Sequence, residues 1–462
     1  MTTAKPASMR TFYLVWFGQL ISLIGSSLTS FGLGVWVFQQ TGSATQFGLI
    51  AVAAILPGIV ISPIAGAIID RHDRRRVMML ADLAAGLSTI AVALLLFTGT
   101  LEIWMIYITA AVSSTASAFQ GPAWSAAISQ LVPKHRLERA AGMGSAAQGI
   151  AMILGPALAG ALIGLIGLSG IIALDFATFL FAVGTLLFVR FPAYQRSEAP
   201  HEKRPSLWQD ARYGWQYMLK RPGLFAMVLF FAFINFTWAL MDPLLTPMVL
   251  SFGQPAELGL IVSAMGVGIM IGSVLMATWG GFKRKTITIY GFGLLQGLTM
   301  VAMGWRESVA LLAVAHLALL VGSPLINGSV QVLLQKKVPQ DVQGRVFAAG
   351  RMLAMIAIPV AYLLSGPLAD NVFNPLLREN GALAGSVGQL IGTGDGRGIG
   401  LMYILAGTLT LIGTGAAFLY GPMRRIEREL PDVTPNDPPP PAPTGDVEAE
   451  PAYAVTSELA AA

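Results

Sequence analysis

The sequence predicts an all-α membrane protein of twelve transmembrane helices, arranged as two pseudo-symmetric six-helix bundles. Three observations predict it: a scarcity of charge, a succession of long apolar runs, and basic residues gathered in every second connection. Charged residues make up 11% of the 462 positions and hydrophobic ones 55%, whereas a soluble domain carries roughly 25% Asp, Glu, Lys and Arg. A hydrocarbon layer of about 30 Å takes about 20 apolar residues per helical crossing. Lipid is therefore the first partner of this chain, and the fold question becomes one of counting crossings.

Apolar runs fall at 11–38, 46–69, 77–98, 103–130, 140–167, 170–191, 223–251, 257–281, 286–304, 308–335, 346–369 and 400–422. Lipid offers backbone N–H and C=O groups no partner, so spanning segments are helices or closed barrels, and these runs lack the period-2 alternation of barrel strands. Lys5 and Arg10 precede the first run as they would in a signal peptide. No small-residue cleavage site follows, so the run reads as a retained first helix.

Orientation follows from the basic residues, which cytoplasmic connections retain. The even-side connections carry Arg71, Arg74, Arg75 and Arg76; Lys134, Arg136 and Arg139; Lys203, Arg204, Arg212, Lys220 and Arg221; Lys283, Arg284 and Lys285; Lys336, Lys337 and Arg345; and Arg424, Arg425 and Arg428. The odd side has Arg306, Arg378 and Arg397. This asymmetry predicts a multi-pass protein of the cell (inner) membrane with both termini cytoplasmic. Residues 1–191 form the N-terminal bundle and 223–422 the C-terminal one. Between them, 192–222 is a polar cytoplasmic linker with an amphipathic helix expected around Leu207–Leu219, bearing Trp208, Trp215 and Tyr217. Residues 423–462, with the run Pro438-Pro439-Pro440-Pro441, lack the apolar content for a core and are expected to be disordered.

The halves echo each other at an offset of about 206 to 209 residues. Leu131-Val132-Pro133 followed by Arg139 matches Lys337-Val338-Pro339 followed by Arg345, and Gly160 falls opposite Gly366. Two repeats around a central cavity is a transporter plan, with the site near the bilayer midplane and alternating access by rocking of the halves.

Ionisable residues inside membrane helices are functional candidates by default. Asp242, in helix 7 and followed by Pro243, is the candidate for proton coupling, because a carboxylate there can take up and release a proton as the cavity opens to each side. An equal alternative places it near the outer interface, capping a break before Pro243. Asp175 in helix 6 reads as a structural intramembrane acid. Arg351 in helix 11 needs an anionic partner, and Asp70 or Asp82 would supply one in a gate latch holding the halves together when the cavity faces outward. Gln19, Ser26, Gln120, Asn235, Asn327 and Gln331 are candidates to line the substrate cavity, with mutual or helix-to-helix bonding as the plainer reading of each. His316 reads as a hydrogen-bonded structural residue.

Two stretches carry motifs. Helix 2 ends in Gly66, Asp70, Arg71, Arg74 and Arg75, a G-x-x-x-D-R-x-x-R-R spacing. Helix 5 carries Gly142, Ala151, Gly155-Pro156 and Ala159-Gly160, whose small face allows tight packing across the interface between halves while Pro156 removes a backbone donor. The first resembles motif A of the major facilitator superfamily, with Asp73 where the family usually has glycine. The second resembles that family's antiporter motif, with alanine for glycine at 151 and 159. Gly121-Pro122-Ala123, Asp175-Phe176-Ala177-Thr178-Phe179 and Gly344-Arg345-Val346-Phe347 resemble the branch of enterobactin-exporter-like and macrolide-efflux-like proteins. The resemblance covers the chain to about residue 422 and implies the major facilitator fold and export by exchange.

The expected function is secondary active transport: proton-coupled antiport of an amphiphilic small molecule, a drug or siderophore-like metabolite. Uptake by the same fold, or a transport-inactive scaffold or sensor acting through the linker or tail, are the alternatives. With no cysteine, no P-loop and no cluster with metal-ligand spacing, the sequence predicts no enzyme, cofactor, metal site or nucleic-acid partner, and a monomer.

Overall fold

A computed structural model describes residues 9–69, 74–132, 136–188 and 215–429. Asp70 and Arg71, most of the linker and residues 430–462 lie outside the described residues. Helix α1 is Met9–Thr41, α2 Ala44–Ile69, α3 Arg74–Phe97 and α4 Ile103–Leu131. A continuous stretch, Leu137–Phe188, is two helices, because Gly167 adopts φ 66° and ψ 179° inside it. We number these α5 (137–166) and α6 (168–188). That backbone conformation is open to glycine at little cost and breaks the hydrogen-bond ladder, so the chain reverses there with almost no loop.

In the second half α7 runs Pro222–Met241 and continues through a 3-10 turn, Asp242–Leu244, into Leu245–Leu250. Pro243 lacks the N–H that an α-helix needs, which accounts for the local change of pitch. Helices α8 (Pro255–Thr278), α9 (Lys285–Trp305), α10 (Val309–Lys337), α11 (Gln340–Leu368) and α12 (Arg397–Leu419) complete the set. Twelve long helices result among the described residues, in line with the run count, and they bracket the predicted runs to within a few residues. The exception is α11, which starts at Gln340 rather than 346 because Pro339 stands at its N-cap.

Each half packs as its own bundle, and the halves meet along two helix pairs, α2 with α11 and α5 with α8. The distribution of the core is uneven along the bundle axis. At the charge-poor end, Val35 and Ala44 of the first half belong to one cluster with Met248, Leu258 and Ala369 of the second. Near it, Ala51, Val52 and Ile55 pack against Ala239, Ala361 and Tyr362. At the basic end the clusters belong to one half each: Met9, Phe12, Val132 and Ala140 in the first, and Met218, Leu224, Val338, Val342 and Met423 in the second. Among the described residues, the halves are therefore closed at the charge-poor end and parted at the basic one.

The linker and tail expectations need amendment. Of the proposed amphipathic helix, 207–214 lies outside the described residues, while 215–219 is helical. Tyr217 and Met218 pack in the basic-end core of the second half. The disordered tail does not begin at 423: Gly421–Arg424 and Ile426–Glu429 form helical turns whose Met423 and Ile426 are buried in that same core. Glu427 accepts from Thr286 N at the start of α9 (2.8 Å), and Lys337 Nζ donates to Glu427 O (2.8 Å). The apolar pair at 423 and 426 was too short a signal to stand out beside the Pro-rich run that follows.

Candidate functional site

The site is a chamber with a sealed roof and an open floor, and the helix 5 residues show both. A Cβ placed on Gly160 would meet Pro255 O at 2.6 Å and Gly259 Cα at 3.2 Å, so α5 and α8 touch backbone to backbone. Only glycine on both sides permits that approach. One turn nearer the floor, Ser263 Oγ donates to Ile153 O (2.7 Å) across the same seam. A Cβ at Gly142 or Gly149 would meet nothing within 4 Å. The two helices thus diverge from about Ile153 downward. Of the expected small face, Gly160 packs across the interface, Gly155 packs instead on Ser27 of α1 within its own half, and Gly142 lies open. Pro156 is buried, and its carbonyl oxygen meets Gly259.

The α2–α11 seam is closed by a carboxylate that the sequence reading did not single out. α11 ends in a π-helical turn, Ala369–Phe373, which carries Asp370 to the N-terminus of α2. Asp370 accepts from Ser43 Oγ (2.7 Å), Ala44 N (3.1 Å) and Thr45 N (2.8 Å). The first N–H groups of a helix have no partner of their own and carry partial positive charge. An acid from the other half satisfies them here. The signal available in sequence was Ser43, a capping residue just before an apolar run; nothing local named its partner.

Asp242 sits below this latch. Its Oδ2 accepts from Tyr362 Oη at 2.5 Å, joining α7 to α11, while Gly48 of α2 lies against Tyr362 O. Asp242 is half-buried and bonded at this joint and is not among the residues that line the open cavity. His316 is buried, bonded to Leu312 O (2.9 Å), and lies edge-on between Trp238 and Tyr403.

Beneath that roof, a cavity of about 290 Å³ is lined by Phe231, Asn235, Asn327, Gln331, Arg351 and Ile358. Three predicted cavity residues, Asn235, Asn327 and Gln331, are thereby brought together. Asn235 Nδ2 donates to Phe231 O and Asn327 Nδ2 to Ser323 O, both at 2.8 Å. Arg351 is exposed on this wall. It is not paired with Asp82, and the latch is expected only when the cavity faces outward. Asp82 accepts instead from Gln120 Nε2 (2.8 Å) and Gln19 Nε2 (3.4 Å), and Gln120 also donates to Gln19 Oε1 (3.1 Å). Gln19 and Gln120 are thus committed to a knot among α1, α3 and α4, and Ser26 faces Asp175 of α6 (3.5 Å). Gly66 lies near the end of α2, and Arg74 and Arg75 open α3.

The profile of the Major Facilitator Superfamily matches residues 15–362. The chain belongs to that superfamily. It is a multi-pass membrane transporter and not an enzyme. Among superfamily members, macrolide efflux protein A of Streptococcus pyogenes is 26% identical over 365 residues, covering 78% of this chain and 90% of that one. The multidrug efflux pump Tap of Mycobacterium tuberculosis is 26% identical over 375 residues, covering 78% and 87%. A bacterial homologue of the human lysosomal transporter Spinster, solved inward-facing and unoccupied, matches with a TM-score of 0.68 at 14% identity, over 94% of this chain and all of that one. A bacterial homologue of ferroportin, also inward-facing, matches at 0.62 and 15%. These structures share the major facilitator fold with this chain.

Proposed function

We propose that this transporter exports an amphiphilic small molecule from the cytoplasm by alternating access, in exchange for protons. The observation that carries the reading is the asymmetry of the chamber: sealed at the charge-poor end by Gly160 on Gly259 and by Asp370 on α2, open at the basic end onto aromatic, amide and guanidinium groups. The positive-inside rule makes the basic end cytoplasmic, so this is an inward-facing state that loads from the cytoplasm or the inner leaflet. Phe231 and Ile358 suit an apolar body, and Asn235, Asn327 and Gln331 suit a polar edge. Relatives whose names denote macrolide and multidrug efflux favour export over uptake.

Asp242 is the coupling group in this proposal. It lies two turns beyond Asn235 on α7, about 10 Å at 1.5 Å per residue, at the joint where α7, α11 and α2 converge. Separating α2 from α11 would wet it from outside and allow protonation, and closing the roof would return it to the seam. Everted vesicles energised with an acidic lumen should accumulate the drug only with the protein present, and Asp242→Asn should abolish the uphill component while leaving binding. Equal uphill accumulation by both proteins removes Asp242 from the coupling. Flux in the opposite direction defeats export.

A further inference from the structure

The cavity wall carries charge of one sign. Among the described residues that line it, Arg351 is the only charged one, and no acid stands beside it. No hydrogen bond or ion pair engages its guanidinium among the described residues. The positive-inside rule accounts for basic residues at helix ends, but Arg351 stands deeper. Because α10 ends at Lys337 and α11 begins at Gln340, equal distances from those two ends mark one level in the bundle. At 1.5 Å per residue, Arg351 is about 16 Å along α11 and Asn327 about 15 Å back along α10. Both are near the middle of a hydrocarbon layer of about 30 Å. A charged side chain at that depth is costly, and without a counter-charge it marks a pathway or a binding site.

The neighbouring amides do not duplicate its role. Asn235 and Asn327 spend an N–H each on a carbonyl of their own helix, at 2.8 Å, which leaves their amide oxygens as acceptors. We propose that Arg351 is the anion-recognition residue of this cavity, and that the exported amphiphile bears a carboxylate or a similar acid group. The inference rests on the cavity being the inward-facing substrate site, and it adds the sign of the substrate's charge. A guanidinium presents a planar fork of donors that meets a carboxylate with two parallel bonds. Phe231, Phe347 and Ile358 line the same cavity and suit the apolar body, and the Asn235 and Asn327 oxygens suit a hydroxyl or N–H on it. An amine cation in this wall would sit beside a like charge with no acid to offset it, so the site selects against cations. Exposed Arg136, Arg139 and Lys336 at the basic end draw the same sign of solute to the open floor.

The test reads binding to the full-length protein in a non-ionic detergent, by energy transfer from tryptophan to three dansyl probes that share one body. They are dansyl-6-aminohexanoate, its primary amide, and the amine dansylcadaverine. The carboxylate should bind at least about tenfold more tightly than the amide, with the amine weakest. Arg351→Gln should weaken the carboxylate by at least about tenfold and leave the amide unchanged, and Arg351→Lys should retain part of the preference. Equal binding of carboxylate and amide by the wild type, a preference for the amine, or no binding of the carboxylate overturns the assignment. So does undiminished carboxylate binding in Arg351→Gln, and so does an equal loss for all three probes, which a merely structural role would give. No flux is needed. Failure of uphill transport while the carboxylate is still held through Arg351 counts against export alone, whereas pumping of the amine with no preference for the carboxylate counts against this assignment alone.

Discussion

Asp370 shows how much of the gating energy one side chain can hold. It satisfies two backbone N–H groups and one hydroxyl at the N-terminus of α2, and those bonds exist only while the charge-poor end is closed. Removing a side-chain cap costs about 0.5–2 kcal/mol, and about 1.4 kcal/mol is a factor of ten in an equilibrium. Asp370→Ala should therefore shift the balance several-fold toward the state open at the charge-poor end. Labelling of a cysteine placed at Ser251, beside Asp370 in the charge-poor pocket, should speed up accordingly; an unchanged rate means the cap is not a latch. Single polar residues were the least legible feature of the sequence. Asp242, Asp175 and Asp82 stood out because charge is rare in apolar runs, but their partners, Tyr362, Thr89 and the two glutamines, come from helices 38 to 120 positions away. Asp370 escaped notice because it lies at the end of a run, where an acid is ordinary.

At the scale of elements, glycine decides which helices touch. In α1, Gly18, Gly25 and Gly32 recur every seven residues, and each faces α6, at Thr185, Thr178 and Leu168. That spacing was visible in the sequence and marks a packing stripe, while the helix 5 motif marks the moving seam. Gly160→Leu should force α5 from α8, since enlarging a packed position costs about 1–3 kcal/mol. Because the clash is with backbone at the charge-poor end, the variant should remain folded, favour the opposite state and lose most of its flux. Normal flux with a normal inward-facing population contradicts the backbone contact. The last described turns make a second prediction. Deleting residues 431–462 should leave flux intact. Deleting from Gly421 should lower the unfolding temperature, because Met423, Ile426 and Glu427 tie α9 and α10 together at the basic end. Equal stability of the two truncations would mean the clasp carries no load.

For the whole molecule, helix number and the pairing of halves were legible because lipid leaves a chain few choices: apolar length sets each crossing, and the basic connections alternate. What the sequence withheld was the state. In the alternating-access proposal the two states keep the same helices and differ in which end of the α2–α11 and α5–α8 seams is in contact. That difference is small in area and depends on pairs such as Gly48 with Ser365, hundreds of positions apart, for which no local pattern exists.

Those two positions provide the most direct test. A Cβ built at Gly48 stands 3.6 Å from Ser365 Oγ, so the two side chains would meet across the seam, as a disulfide requires. The chain contains no cysteine, so Gly48→Cys with Ser365→Cys can be oxidised without competing pairs. Flux is then measured in vesicles before oxidation, after it, and after reduction. If the halves must part at the charge-poor end in every cycle, oxidation stops transport and reduction restores it. Undiminished flux through the fully crosslinked protein would contradict alternating access across this seam.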